Sequence, residues 1–254
     1  MKQIIKVSNV TKVYGSKLNK TTALVDINFE INQGEFVGIM GPSGSGKSTL
    51  LNVISTIDRT TSGTISYEGK DIGSLKENEL SDFRRNELGF IFQDFNLLDT
   101  LSVEENIVLP LAISRMNVKE IKKRLQDVTK ILGINDILKK YPYEISGGQK
   151  QRTAAARAII NNPRLVLADE PTGALDSKSS AELLTCMKRL NKEYNSTILM
   201  VTHDAFAASY CDRILFIKDG NIFSELISNG DRKEFYNKVI DVLAMMGGDL
   251  NDVL

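Results

Sequence analysis

With 254 residues, 42% of them hydrophobic, the chain is long enough for one large domain or two small ones around a sizeable core, and it is expected to fold unaided. Lys plus Arg and Asp plus Glu balance at 32 each, which excludes a bulk positive field that would recruit nucleic acid or anionic lipid non-specifically. The start, Met1-Lys-Gln-Ile-Ile-Lys-Val7, has no secretory apolar core, and no apolar run nears the roughly 18–20 residues of a spanning helix, so a cytosolic chain is expected that reaches any membrane through specific contacts.

In chain order, residues 4–10 and 26–31 predict strands of a small antiparallel sheet, with Asn32-Gln-Gly34 turning from the second into Phe36-Val-Gly-Ile-Met40. Gly63-Thr-Ile-Ser-Tyr67 and a turn at Glu68-Gly-Lys70 extend that sheet. Short apolar, β-branched runs at 36–40, 88–92, 165–168, 197–201 and 213–217 alternate with helical patterns, the rhythm of a parallel sheet flanked by helices. After Phe92 the strand signals stop until about Ile160, which predicts an inserted helical subdomain. Within it Val118, Ile121, Leu125, Val128 and Leu132 recur at three and four residues as an apolar stripe, with Lys119, Lys122, Lys123 and Arg124 mostly off that face. Interleaved Glu120 and Asp127 mark this basic cluster as a solvated helix face rather than a nucleic-acid site. Lys218-Asp-Gly-Asn221 reads as a hairpin turn, and residues 232–246 as a helix ended by Gly247 and Gly248, with Met245 and Met246 as packing residues. The expected organisation is a single domain over 1–254: a core of 1–92 and 161–228, a helical subdomain of 93–160 and a C-terminal extension of 229–254. Cys186 and Cys211 are far apart without clustered His or Cys, so packed, reduced thiols are expected rather than a metal site or a disulfide.

Chemistry concentrates in a few short stretches. Gly41, Pro42, Ser43, Gly44, Ser45, Gly46, Lys47 and Ser48 fill every fixed position of G-x-x-x-x-G-K-[ST], between an apolar run and a helix-like segment that begins at Ser48. Glycines at 41, 44 and 46 let backbone N–H groups wrap a triphosphate, and the next helix adds the partial positive charge of its N-terminus. Lys47 supplies a cation for the β- and γ-phosphates, Ser48 a hydroxyl for Mg2+, and Thr49 a contact on the α-phosphate side; the competing reading is a chance glycine-rich turn. Leu165-Val-Leu-Ala-Asp169-Glu170 has the form of a buried parallel strand whose C-terminal end meets the nucleotide. There Asp169 is expected to hold Mg2+ through its water shell and Glu170 to polarise the attacking water, against the alternative of a solvated acidic strand end. His203, the only histidine, directly follows the 197–201 run and is expected to contact the γ-phosphate rather than serve structure alone. Gln93 ends the 88–92 run, where its amide is placed to touch Mg2+ or the water; the residue alone decides neither way. Tyr14 is expected to stack on adenine, with core packing as its alternative.

With Ile145-Ser-Gly-Gly-Gln149 added, the set resembles an ABC-type ATP-binding subunit over nearly the whole chain. The resemblance implies an α/β fold, a P-loop NTPase (RecA-like) core with a parallel sheet, a small antiparallel β-subdomain and an inserted α-helical subdomain. It makes Tyr14 the adenine-stacking residue, 41–49 the phosphate loop, Gln93 the Q-loop, Ser146, Gly147, Gly148 and Gln149 the signature, Asp169-Glu170 the acidic pair, Ala174-Leu-Asp176 the D-loop and His203 the switch histidine. Ile145 stands where the family usually has Leu, and no loss of function is expected from it. The resemblance further implies two copies meeting head to tail, with Asp176 at their interface and the signature of one closing on the γ-phosphate held by the other. A Ser-Gly-Gly turn leading into Gln149-Lys-Gln-Arg152 offers N–H groups to such an anion.

The stretches 92–106, 144–152 and 168–178 are similar to the lipoprotein-release and macrolide-export branch. Asp99, where other members of the branch commonly have Pro, the Gly15-Ser-Lys-Leu-Asn-Lys20 loop and Ala207-Ala-Ser-Tyr-Cys-Asp212 look most like the bacitracin-type antimicrobial-peptide resistance transporters. That likeness implies an integral-membrane permease as partner, often a sensor histidine kinase as well, and a place on the cytoplasmic side of the plasma membrane. Phe95, Leu97 and Leu98 are candidates for docking the permease, with a core role as the alternative. Lipoprotein-release or macrolide-type transport is the alternative function. A soluble ABC ATPase acting on DNA or ribosomes usually carries a long coiled coil, zinc-binding cysteines or tandem ATP modules; none is present here, and no nucleic-acid partner is expected. A P-loop kinase or GTPase would leave the signature and His203 unexplained.

Overall fold

The computed structural model describes residues 2–16 and 19–247. Its elements are β1 (Gln3–Ser16), β2 (Asn19–Asn32), β3 (Phe36–Met40), α1 (Lys47–Ile54), β4 (Ser62–Tyr67), β5 (Lys70–Asp71), α2 (Glu77–Asn86), β6 (Leu88–Ile91), α3 (Val103–Ile113), α4 (Val118–Leu132), α5 (Gly147–Ile159), β7 (Leu165–Asp169), α6 (Ser177–Tyr194), β8 (Thr197–Val201), α7 (Ala205–Ala208), β9 (Arg213–Lys218), β10 (Asn221–Ile227) and α8 (Arg232–Met246). Internal contacts divide the chain into two units, residues 1–76 with 199–254 and residues 77–198.

In the first unit β2, β1, β4 and β5 form an antiparallel sheet in that order. Both long strands run past the expected limits because polar residues at their outer ends still pair; β2 buries Leu24, Ile27, Phe29 and Ile31 on one face while its first four residues stay exposed. The second layer has the order β10-β9-β3-β8. All five residues of β3 are buried, and β3 runs parallel to β9, which explains its unbroken apolar reading. Helix α8 begins at Asp231, whose carboxylate accepts from the N–H groups of Lys233 and Glu234. The expectation for its methionines is half corrected: Met246 is buried, but Met245 is 71% exposed, because successive helical residues point 100° apart and only one of the pair faces inward. Gly247 caps the helix with φ −81, and Gly248 lies outside the described residues.

In the second unit β6 and β7 pair in parallel, framed by helices. Helix α2 is an element the hydrophobic pattern does not announce: only Leu80 and Phe83, three residues apart, turn inward from an otherwise polar segment. In α4 the stripe buries Leu125, Val128 and Leu132, whereas Val118 at its start is 64% exposed, a correction to the periodic reading: the stripe is covered only from its middle onward. Glu120 and Arg124, both half-buried, pair at 2.9 Å, and Arg124 also donates to the Ile160 carbonyl at 3.4 Å, so this part of the basic cluster packs against the residue that follows α5. Helix α5 presents Ala154, Ala155, Ala156 and Ala158 as small buried residues, and it approaches β6 so closely that a Cβ at Gly89 would sit 2.3 Å from the Ala158 carbonyl oxygen. Neither cysteine forms a disulfide among the described residues; Cys211 is buried, and burial pushes the Cys186 thiol up. Among the described residues no helix is long and apolar enough to cross a membrane.

Candidate functional site

The phosphate loop hangs between β3 and α1 in the first unit. A Cβ at Gly41 would lie 2.1 Å from the Ile217 carbonyl oxygen, and one at Gly46, where φ is +104, would lie 2.4 Å from that of Ala23. The loop is therefore seated by backbone that no side chain could displace. The Gly220 N–H donates to the Ser45 carbonyl at 3.1 Å and ties the loop to the β9–β10 turn. Lys47 is 7% exposed, and its ammonium donates to the carbonyls of Gly41 and Pro42, both at 2.9 Å. A buried cation at the first residue of a helix opposes the helix dipole, so this arrangement favours an anion beside it. Ser45 adds a buried hydroxyl with no hydrogen-bond partner among the described residues. Pro42, Ser43, Gly44 and Ser48 are exposed and Thr49 is half-buried. Loop N–H groups, a lysine and an orphan hydroxyl together fit a polyphosphate.

Tyr14, on β1, is 39% exposed, and its hydroxyl donates to Asp58 Oδ2 at 2.8 Å. Burial and Asp58 raise the pKa of the same phenol, and Thr49 lies close enough to lower it against them, so the structure brings Tyr14 and the end of the phosphate loop together. His203 is exposed just past β8, in a turn shaped by the Asp204 N–H donating to Thr202 Oγ1 at 3.0 Å.

In the second unit Asp169 is the last residue of β7 and Glu170 comes next with φ +44. A glutamate in the left-handed region is strained, and such strain gathers where the position of a side chain matters more than its comfort. The Gly173 N–H donates to the Glu170 carbonyl at 2.9 Å and closes the turn. A Cβ on Gly173 would sit 2.9 Å from Gln93 Nε2, so the exposed Gln93 amide lies against the turn that carries Glu170. Among the described residues no three His, Cys, Asp or Glu cluster as a metal cage.

The signature opens α5. Ser146 is its N-cap: Ser146 Oγ accepts from the Gln149 N–H at 3.3 Å, and Gln149 Oε1 accepts from the Ser146 N–H at 3.0 Å. A Cβ at Gly148 would lie 2.6 Å from Ser179 Oγ, so this glycine is required by the approach of α6; Gly147 has room. Asp176 caps α6, accepting from the N–H groups of Ser179 and Lys178 and from the Ser179 hydroxyl. The Ser179 N–H and hydroxyl, with the Lys178 N–H, hold its carboxyl below the usual range.

Two residues of α5 have no counterpart in the sequence reading. Gln151, fully buried, donates from Nε2 to the carbonyls of Phe92 at 3.1 Å and Pro171 at 2.7 Å, and so joins the backbone before Gln93 to the backbone after Glu170. Arg157 donates to the carbonyls of Phe95 and Asn96, two successive residues at positive φ. The one sequence signal for Gln151 is a polar residue on the small-residue face of its helix.

The ABC transporter family profile matches residues 24–173. The chain is 51% identical over 250 residues to the bacitracin export ATP-binding protein BceA of Halalkalibacterium halodurans, covering 98% of this chain and 99% of the relative. It is equally identical over 253 residues to YvcR, an uncharacterised ABC transporter ATP-binding protein of Bacillus subtilis, covering 98% and 97%. Among solved structures it is similar to the dimeric, post-hydrolysis state of the ATP-binding cassette MJ0796 of Methanocaldococcus jannaschii bound to ADP and Pi, with a TM-score of 0.81 and 41% identity over 89% of this chain and all of that one. With a phosphate loop, a strained glutamate and a capped Ser-Gly-Gly helix start already in place, the chain belongs to the ABC transporter family as an ATP-binding, ATP-hydrolysing subunit.

Proposed function

We propose that this ATPase drives a membrane permease that exports, or confers resistance to, bacitracin-like antimicrobial peptides. The observation that carries the phosphate chemistry is the Lys47 ammonium folded onto two loop carbonyls, neutral acceptors that a phosphate oxygen outcompetes through charge. The match to a bacitracin exporter over 98% of the chain supports the substrate class.

In this reading Tyr14 stacks on adenine, the N–H groups of 41–49 and Lys47 hold the phosphates, and Thr49 meets the α-phosphate side. Glu170 accepts the proton of the attacking water, and His203 donates to the γ-phosphate as charge builds there. The donor set of Ser48, Asp169 and Gln93, all oxygen ligands with few charges, suits Mg2+, which when bound neutralises charge between the phosphates. Two copies meet head to tail, Ser146, Gly147, Gly148 and Gln149 of one closing on the nucleotide of the other beside Asp176. Half-buried Phe95 and Leu97 and the 48% exposed Leu98 offer an apolar contact for the permease. The subgroup likeness supports a sensor histidine kinase as a further partner, and the permease places the chain on the cytoplasmic side of the plasma membrane.

Glu170→Gln tests the core of this reading. It should bind ATP normally, turn over at least about 100-fold more slowly, and accumulate as an ATP-bound dimer in size-exclusion chromatography. Hydrolysis at the unaltered rate would remove Glu170 as the base. Co-purification from membranes should bring down a multi-helix permease, and loss of the gene should sensitise cells to bacitracin; ribosomes or DNA in its place would overturn the transport role.

A further inference from the structure

We propose that Lys12 and Asp58 are positioning residues for the nucleotide base: together they hold the Tyr14 ring in the orientation that stacking requires. The inference rests on the reading that Tyr14 stacks on adenine.

Lys12 and Tyr14 lie two apart on β1, beside a slip of its register against β2. Lys12 is only 9% exposed, unusual for a lysine, and its ammonium is fully engaged: it donates to Asp58 Oδ1 at 2.6 Å and to the Arg59 carbonyl at 2.7 Å, and sits 4.7 Å from the centroid of the Tyr14 ring. The Arg59 N–H also donates to Asp58 Oδ1, at 2.7 Å, while Asp58 Oδ2 takes the Tyr14 hydroxyl at 2.8 Å. One carboxylate thus fixes both the cation on the ring and the end of the ring. The strand itself is anchored to the same segment, the Val13 N–H donating to Thr61 Oγ1 at 3.0 Å and the Thr61 N–H to the Thr11 carbonyl at 2.9 Å.

Lys12 occupies the ring from one side, and the 39% exposure of Tyr14 leaves surface for a base. A cation on one face draws π density away from the other, which favours stacking of an electron-rich purine there. Burial pushes the Asp58 carboxyl up, but the bonds from Lys12, Tyr14 and the Arg59 N–H outweigh it and hold the group ionised. Neither Lys12 nor Asp58 touches a phosphate in this scheme. Their contribution is a ring already ordered before the base arrives, so the ordering cost is not charged to binding.

Calorimetric titration of the full chain with MgATP and with magnesium tripolyphosphate, which lacks the base, separates the roles. Tyr14→Ala should weaken MgATP about ten-fold, the lower range of base stacking, and leave tripolyphosphate within two-fold. Asp58→Asn should weaken MgATP about five-fold, spare tripolyphosphate, and add nothing to Tyr14→Ala in the double variant. Equal weakening of both probes, or multiplying effects in the double variant, overturns the clamp. If Tyr14→Ala acts on ATP alone while Asp58→Asn leaves ATP binding unchanged, stacking stands and the clamp falls. If Tyr14→Ala leaves ATP binding unchanged, the stacking reading falls and takes the clamp with it. Should Asp58→Asn fail to fold, Lys12→Met, which keeps the aliphatic stem, is read by the same two probes and the same criteria.

Discussion

Helices α1 and α5 both begin on glycine-rich turns, and they begin in opposite ways. Gly46 caps α1 in the left-handed region and, among the described residues, no side chain caps that end; the cation Lys47 is its first residue. Ser146 caps α5 with a reciprocal capping box that satisfies the N–H groups of Gln149 and of Ser146 itself. A helix start without a side-chain cap and with a cation beside it is short of an acceptor, so it binds an anion on its own account. A boxed start is content without one, and its glycine N–H groups add to a ligand only when something else holds that ligand close. The difference gives the two motifs different tasks. In the proposed function, affinity for nucleotide belongs to the phosphate loop, and the signature is the part that decides whether the closed, hydrolysing state forms.

The largest test of this contrast is Lys47→Ala, which should weaken MgATP binding by about 10- to 100-fold, the loss of charge-assisted bonds of roughly 1.5–3 kcal/mol. Unchanged affinity would mean the loop is not the anion site. Gly148→Ala comes next: its Cβ meets Ser179 Oγ at 2.6 Å and Ser179 Cβ at 2.8 Å, so it should cost about 1–3 kcal/mol in denaturant unfolding, recovered by Ser179→Gly. A fully stable Gly148→Ala chain would contradict the tight seating of the signature on α6. The smallest effect is expected from Ser146→Ala, which removes the cap at about 1 kcal/mol and lowers the melting temperature by about 2–4 °C. Single-copy ATP affinity should stay as it was while turnover falls; a weakened affinity would erase the distinction between the two helix starts.

What was legible in the chain came from contiguity. The phosphate loop, the acidic strand end and the Ser-Gly-Gly turn are chemical groups held by neighbours in sequence, so their spacing carries their geometry. The buried strands β3 and β8 were readable for the same reason, each being five buried residues on end that are all apolar apart from Thr197. Helix α2 escaped because two inward residues make too short a period. Gln151 and Arg157 escaped because the carbonyls they hold are 20 and 59, and 61 and 62, residues away, and nothing local announces a carbonyl in need of a donor. Val118 and Met245 fit a periodic or packing pattern and are nevertheless exposed, since periodicity names a face without saying how far its partner extends.

The order of residues by itself determined the chemistry: glycines where backbone must wrap phosphate, a lysine to meet charge, a carboxylate pair at a strand end, and a serine able to cap a helix. Tertiary structure alone decided which of these groups are held taut. The Asp58 carboxylate shared by Lys12 and Tyr14 and the Gln151 bridge between the Phe92 and Pro171 carbonyls depend on groups brought in from elsewhere in the chain. Covalent neighbours can specify which donors and acceptors exist, but only packing removes the water that would otherwise satisfy them, and it is that removal which makes their directions matter.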